Sequence, residues 1–428
     1  MKKYLFFALA VAGMLSSCSQ DDSISDAPSI QTSEDLVPIH ISVKSAPISA
    51  ATRAVGTGTV GDIATGSNVW ANQKIKVYML SKGTMEMAQF EGVKIFRNAT
   101  FVAPADVNAT SADNKVEALT EDQSVKYYPP QGSYDFWGYR LDGAETAEDP
   151  TEGADQITIP FVIDGSQDVM VAKAVPTAAD SLALQLDGNG NPVDAETAAH
   201  NVTRVYSAFA ARRGVQPTLD FKHMLTRLKF FISAGDAATC DADGGIFVDS
   251  IKVMSKATGT LIAAYTGEEL VDQVVFNSEA DLDSLVLRQR IDNDNDANLD
   301  QPLVTLVPVQ PVWNTVENKT DTVRVGESLI VAPADQYELR ISISQRQKVS
   351  RDETLDPADQ YQVLKNTYIV PLTTRSGAAF KRGYSYNVYM TMWGFSKITV
   401  NTTLQPWVED DADSKIEILP EDFDANNF

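Results

Sequence analysis

Short runs of alternating apolar and polar residues, parted by turn residues, fill most of this 428-residue chain and constrain its fold more than any other feature. Alternate residues of a strand point to opposite faces, so each run offers one apolar face to a core. The first run is Val37, Ile39, Ile41 and Val43. Others follow at Lys74–Leu80, Lys94–Val102, Tyr134–Tyr139, Ile157–Ile163, Leu219–Ile232 and Ile246–Met254. The series continues with Leu285–Ile291, Pro302–Val309, Tyr337–Ile343, Gln362–Val370, Tyr384–Met392 and Lys397–Leu404. Helical spacing stands out once, where Asp194 caps Ala198, Val202, Val205, Tyr206 and Phe209, and Gly214 with Pro217 ends the pattern. That helix falls in a segment, Ala174 to Gln216, that interrupts the strand-rich plan and is expected to cover a sheet face or a loop. The fold class is therefore all-β, as sandwiches in tandem with one short helix-containing insertion. The length suffices for two cores, and the break before Leu219 divides the chain into an N-terminal unit, 36–216, and a C-terminal unit, 217–428.

The first residues set the compartment. Lys2-Lys3 precede an apolar run, Tyr4 to Leu15, too short to span a bilayer, and Leu15-Ser16-Ser17-Cys18 closes it. Small residues before a cysteine suit cleavage by a signal peptidase with acylation of the Cys18 sulfur. Residues 1–17 then form a lipoprotein signal peptide, and outer-membrane lipid is the partner held through Cys18. An ordinary secretion signal with a chance cysteine is the alternative. The acidic stretch Ser19-Gln20-Asp21-Asp22 suits display on the outer face, and residues 18–35, rich in Ser, Asp and Gln, read as a flexible tether. Formal charge is −23, and loss of Lys2 and Lys3 takes it to −25. Such a balance argues against nucleic acid as a partner. Of the two cysteines, Cys18 goes to the lipid, leaving Cys240 without a disulfide partner.

Catalytic patterns do not emerge. His40, His200 and His223 are scattered, and His223 reads as a satisfied core or edge residue. No nucleophile elbow, His-Glu-x-x-His pair, Walker loop or Cys-x-x-Cys pair occurs. The chain is accordingly read as no enzyme, with no cofactor. Asp187-Gly188-Asn189-Gly190-Asn191 and Asp292-Asn293-Asp294-Asn295-Asp296 place alternate oxygens as a calcium loop does, but neither has a glutamate at the twelfth position. Both read as solvated turns. Trp70, Trp137, Trp313, Trp393 and Trp407 offer faces for sugar stacking, although most lie in strand patterns that belong to a core.

Several segments together resemble the fimbrillin family, the subunits of type V pili. Tyr127-Tyr128-Pro129-Pro130 with Tyr134-Asp135-Phe136-Trp137-Gly138-Tyr139 is similar to the family's first-domain signature, and Asp168-Val169-Met170-Val171-Ala172 to a strand of the same domain. Leu219-Asp220-Phe221-Lys222-His223-Met224-Leu225 resembles the strand that opens the second. Gly383-Tyr384-Ser385-Tyr386-Asn387-Val388 and Gln405-Pro406-Trp407 resemble the closing strands. The resemblance implies two transthyretin-like β-sandwiches, other pilus subunits as partners, and an arginine-specific surface protease that cuts beyond the first strand. Arg53-Ala54 stands where that cut would fall, in a Gly/Ala/Thr-rich stretch suited to proteolysis. Excision would remove strand 37–43 and open its place to another chain. The tail, 408–428, alternates at Ile416 and Ile418, which makes it either a donor strand or the last strand of its own sandwich. The expected function is thus a structural and adhesive pilus subunit that meets a host or bacterial receptor. The alternative is a surface lipoprotein that binds glycans without polymerising.

Overall fold

The computed structural model describes residues 36–44, 74–102, 113–118, 125–141, 149–187, 189–241, 244–267, 270, 272–277, 282–289, 303–350, 354, 360–395 and 398–406. The chain is mostly β, as its alternation requires. An eight-stranded sheet runs in the order Thr218–Asp220, Ile41–Lys44, Asp113–Ala118, Ala99–Val102, Lys74–Ser81, Tyr134–Leu141, Val169–Lys173, Lys222–His223. Its first and last members are separated in sequence by Phe221 alone. The two ends of the sheet therefore meet, and the interior they close around also takes in Leu184, Tyr206, Phe209 and Ala210 of the helical insertion. Inside lie Ile75, Val77, Met79, Phe136, Leu219 and Phe221, every second residue of their strands, with Val37, Ile39, Ile41 and Val43.

Closure needs a strand that others can cross at close range. Gly138 supplies it: a Cβ there would stand 2.8 Å from Leu219 Cδ1 and 2.8 Å from Phe221 Cζ. The outer face of the same sheet, with Tyr78, Leu80, Trp137 and Tyr139, joins a second apolar cluster. That cluster also holds the inner faces of two four-stranded sheets. One is ordered Val323–Val331, Thr226–Ala234, Tyr384–Met392, Ile398–Pro406, and the other Leu282–Val286, Ile246–Lys256, Tyr337–Lys348, Tyr361–Leu372. A further sheet places Gln156–Val162 beside Thr258–Tyr265. Strands on either side of position 216/217 thus pair directly, Ile41–Lys44 with Thr218–Asp220 and Gln156–Val162 with Thr258–Tyr265.

The insertion corrects the expectation of one continuous helix. Asp194 does cap, its Oδ1 accepting from the backbone N–H of Glu196 at 3.1 Å and Thr197 at 2.9 Å. The helix is Ala195–Thr203, however, and a second, Ala208–Ala211, starts anew from Ser207. Between them Tyr206 adopts φ +54°, which turns the chain and drives its ring edge-on against Phe136 at 5.9 Å. The aromatic packing prevails over helix continuation there. A third helix, Ala178–Leu184, starts from a capping box between Thr177 and Asp180. The run expected at Lys94–Val102 is likewise interrupted, because Asn98 sits at φ +54° and the strand proper is Ala99–Val102.

Gly138→Ala forces a methyl group into the Leu219 and Phe221 side chains in a filled interior. Overpacking of this kind costs about 1–3 kcal/mol, read as a lower urea midpoint at unchanged slope.

Candidate functional site

Segment 37–44 combines burial with hydrogen bonding on both flanks. Val37 and Ile39 are 9% exposed, Ile41 2% and Val43 0%. On one flank Ile39 donates its N–H to the Lys126 carbonyl at 2.9 Å, and Tyr128 donates to the Val37 carbonyl at 2.9 Å. Farther along, Ile41–Lys44 runs antiparallel to Asp113–Ala118, with Ile41 opposite Val116. On the other flank it runs parallel to Thr218–Asp220, with Ser42 opposite Thr218, and Ser42 donates to the Pro217 carbonyl at 3.1 Å.

Gln216 extends that second flank with its side chain. Its Nε2 donates to the Pro38 carbonyl at 3.1 Å, and its Oε1 accepts from the His40 N–H at 3.3 Å. A side-chain amide carries the donor and acceptor of a peptide unit, so Gln216 adds one more rung to the ladder begun at Pro217. The Tyr128 hydroxyl donates to the same Oε1 at 3.2 Å. Burial, followed by the nearby Tyr206, pushes that hydroxyl's pKa well up, so it stays a donor throughout the physiological range. The ring of Tyr128 is in turn braced edge-on by Phe136 at 6.2 Å. The result is a slot lined by apolar side chains, edged by backbone on both sides, and filled by the first of the described segments.

Chemically, such a slot accepts a strand. Backbone groups along 126–128 and 217–220 offer pairing, and pockets at every second position read apolar side chains. The odd positions of the occupant carry the apolar groups and the even ones, Ser42 and His40, are more exposed, so a one-residue slip would bury the wrong face. Gln216 is the residue that sequence reading missed. Only its position opposite Pro38 and His40 reveals its part.

The other candidate residues do not converge here. Cys18, Arg53, Ala54, Ile416, Ile418, Trp70, Trp407 and the 292–296 cluster lie outside the described residues. His40 is exposed, and His200 lies exposed on Ala195–Thr203. His223 is buried, its Nδ1 2.7 Å from Asp168 Oδ2, with Arg140 4.0 Å from the same oxygen. The Asp187 carboxylate closes its own loop, accepting from the N–H of Asn189 and of Asn191, each at 2.8 Å. Those donors, Asn191 foremost, hold its pKa below the usual carboxylate range. Trp137 is buried beneath Lys173, whose Nζ is 4.4 Å from its ring centre. Trp393 is 45% exposed and lies against Gly235. Among the described residues no three His, Cys, Asp or Glu are grouped to hold a metal ion, and no helix is long and apolar enough to cross a membrane.

The fimbrillin-like family profile matches residues 52–407, most of the sequence. The chain belongs to the fimbrillin-like family. No curated protein matches it. Among solved structures it is similar to a candidate cell adhesion protein from Bacteroides ovatus, at 16% identity over 88% of this chain and 99% of that one, with a TM-score of 0.42. A candidate cell adhesion protein from Bacteroides uniformis is 14% identical over 88% and 100%, with a TM-score of 0.41. The fimbrial anchor protein Mfa2 from Porphyromonas gingivalis is 10% identical over 86% and 98%, with a TM-score of 0.29. Likeness at this level carries no functional argument of its own. Membership rests on the family match.

Gln216→Ala removes one rung from the slot and leaves the Pro38 carbonyl, the His40 N–H and the Tyr128 hydroxyl to other partners. A loss of about 1–2 kcal/mol is expected, with faster amide exchange at His40 than elsewhere in the sheet. Unchanged exchange there would mean that the amide does not hold the segment.

Proposed function

We propose that this fimbrillin-like chain is a structural and adhesive subunit of a cell-surface pilus. In this reading it is exported as a lipoprotein acylated at Cys18 and reaches the outer membrane. An arginine-specific protease then cuts between Arg53 and Ala54, and the segment carrying Val37, Ile39, Ile41 and Val43 leaves. A strand from another subunit takes its place. The division into 36–216 and 217–428 enters as two functional halves, the first housing the slot, with 217–220 lent by the second.

What carries the reading is the double-flanked, buried segment ahead of Arg53. A strand added at an ordinary sheet edge would lose little on removal. Taking this one out strips hydrogen bonds from both sides and uncovers the apolar interior. Reburying each apolar side chain contributes about 1.5–3 kcal/mol as an upper estimate, so four of them amount to a substantial drive for a second strand to enter. While the first strand remains, the same geometry keeps subunits apart. The tail 408–428, with Ile416 and Ile418, is the proposed donor. Its alternation suits the slot's alternate pockets. The second reading, a non-polymerising lipoprotein that binds glycans, draws on the exposed face of Trp393.

Arg53→Ala is expected to leave export and folding intact while abolishing high-mass polymer on the cell surface, assayed by gel filtration and electron microscopy. Polymer at normal yield from that variant would overturn strand removal, and monomer from the cut wild-type chain would favour the second reading.

A further inference from the structure

A strongly acidic chain gathers cations on one open sheet face. In the sheet containing Ile246–Lys256, Tyr337–Lys348 and Tyr361–Leu372, one face is core, with Ile251, Val253, Leu339, Ile341 and Ile343 each 0% exposed. The register fixes what stands on the other. Lys252 is opposite Arg340, and Arg340 is opposite Ile369. Ser344 is opposite Lys365, Arg346 opposite Val363, and Lys348 opposite Tyr361. Lys256 lies on the same face by alternation along its strand. Against these cations stand Glu338, ion-paired to Arg340 at 2.6 Å, and Asp249, which accepts from the Ser344 hydroxyl. Among the described residues Lys252, Lys256 and Lys365 have no ion pair. Arg346 lies over the Tyr361 ring at 4.4 Å.

Opposed like charges such as Lys252 and Arg340 cost stability in a folded sheet. The face is also open, with Ile369 60% and Val363 53% exposed between the cations. We propose that this face binds a linear anionic polysaccharide, one bearing carboxylate or sulfate groups. The cations are strung along the strands, and Arg340 to Lys348 spans about 27 Å at roughly 3.4 Å per residue. The whole face measures roughly 35 Å by 14 Å, on the order of 500 Å², from strand spacing. A stable protein partner needs about 800 Å² on each side, so the face is small and flat for one, while a single extended polymer chain fits it. At about 0.15 M salt the Debye length is about 8 Å, and an approaching polyanion meets this face rather than the chain's net charge. A recess of about 960 Å³, walled by Lys256, Asp335, Glu338, Arg340 and Pro371, opens at one end of the row. It gives room for a branch or a chain end.

The proposal deepens the adhesive reading by naming a ligand class, and it takes only its extracellular setting from that reading. The test uses the uncut full-length chain as a monomer, so it is independent of polymer assembly. Biolayer interferometry against immobilised chondroitin sulfate, polygalacturonate, dextran and poly-glutamate gives the readout. Expected is saturable binding to at least one of the two anionic polysaccharides and none to dextran. The combined exchange Arg346→Glu, Lys348→Glu, Lys365→Glu should weaken that binding at least about tenfold. Should it not melt like the wild type, the milder pair Lys348→Gln, Lys365→Gln replaces it, with a loss of about threefold or more expected. Absence of binding to both anionic polysaccharides, equal binding to dextran, or full binding by the folded variants would overturn the proposal. Binding to poly-glutamate alone would overturn it too, in favour of an acidic protein partner.

Discussion

The ladder that holds segment 37–44 on both flanks is the constraint on which the rest of the first sheet depends. Residues 126–128 and 113–118 take one side, Gln216 and 217–220 the other, and the apolar side chains of the segment fill the interior between them. Remove it and the sheet is no longer closed, because Thr218–Asp220 reaches the remaining strands on that side only through Ile41–Lys44. Burial and closure are one arrangement seen from two sides. In the proposed assembly the occupied place would keep the chain monomeric, and the vacated one would let a further subunit join.

Several features at a distance serve that arrangement. Gly138 lets Leu219 and Phe221 press onto the sheet from within, which brings 218–223 to both of its ends. Tyr206, held in an unusual backbone conformation, braces Phe136, and Phe136 braces Tyr128, whose hydroxyl bonds to Gln216. The helical insertion thereby supports the slot through a row of rings. Cutting the chain beyond Lys44 would leave all these contacts in place. Release of the segment in the proposed maturation would therefore require the ladder itself to open.

The leading strand was legible in the sequence because its apolar residues alternate without a break from Val37 to Val43. Its neighbours were not. Thr218–Asp220 lies more than 170 residues away, and no local pattern reports a pairing of that separation. Gln216 is one polar residue before a proline, and its amide gains a role only when Pro38 and His40 stand opposite. The helix was half legible. Asp194 announced its start, but nothing marked Tyr206 as a break, because its left-handed turn is imposed by packing on Phe136. The helix Ala178–Leu184 and its Thr177 and Asp180 box went unread, because seven residues are too few for a helical period to stand out. Lys252, Arg340 and Lys365 belong to three strands, so their common face exists only once the register is known.

Hydrogen exchange of the chain before cleavage, after cleavage and in polymer tests the central claim most directly. Expected are protected amides at Tyr128 and along 217–220 in the uncut monomer, loss of that protection once the cut segment has left, and its return in the polymer. Protection that persists at these positions after the segment has gone, or polymer that forms while residues 37–44 remain bound, would contradict it.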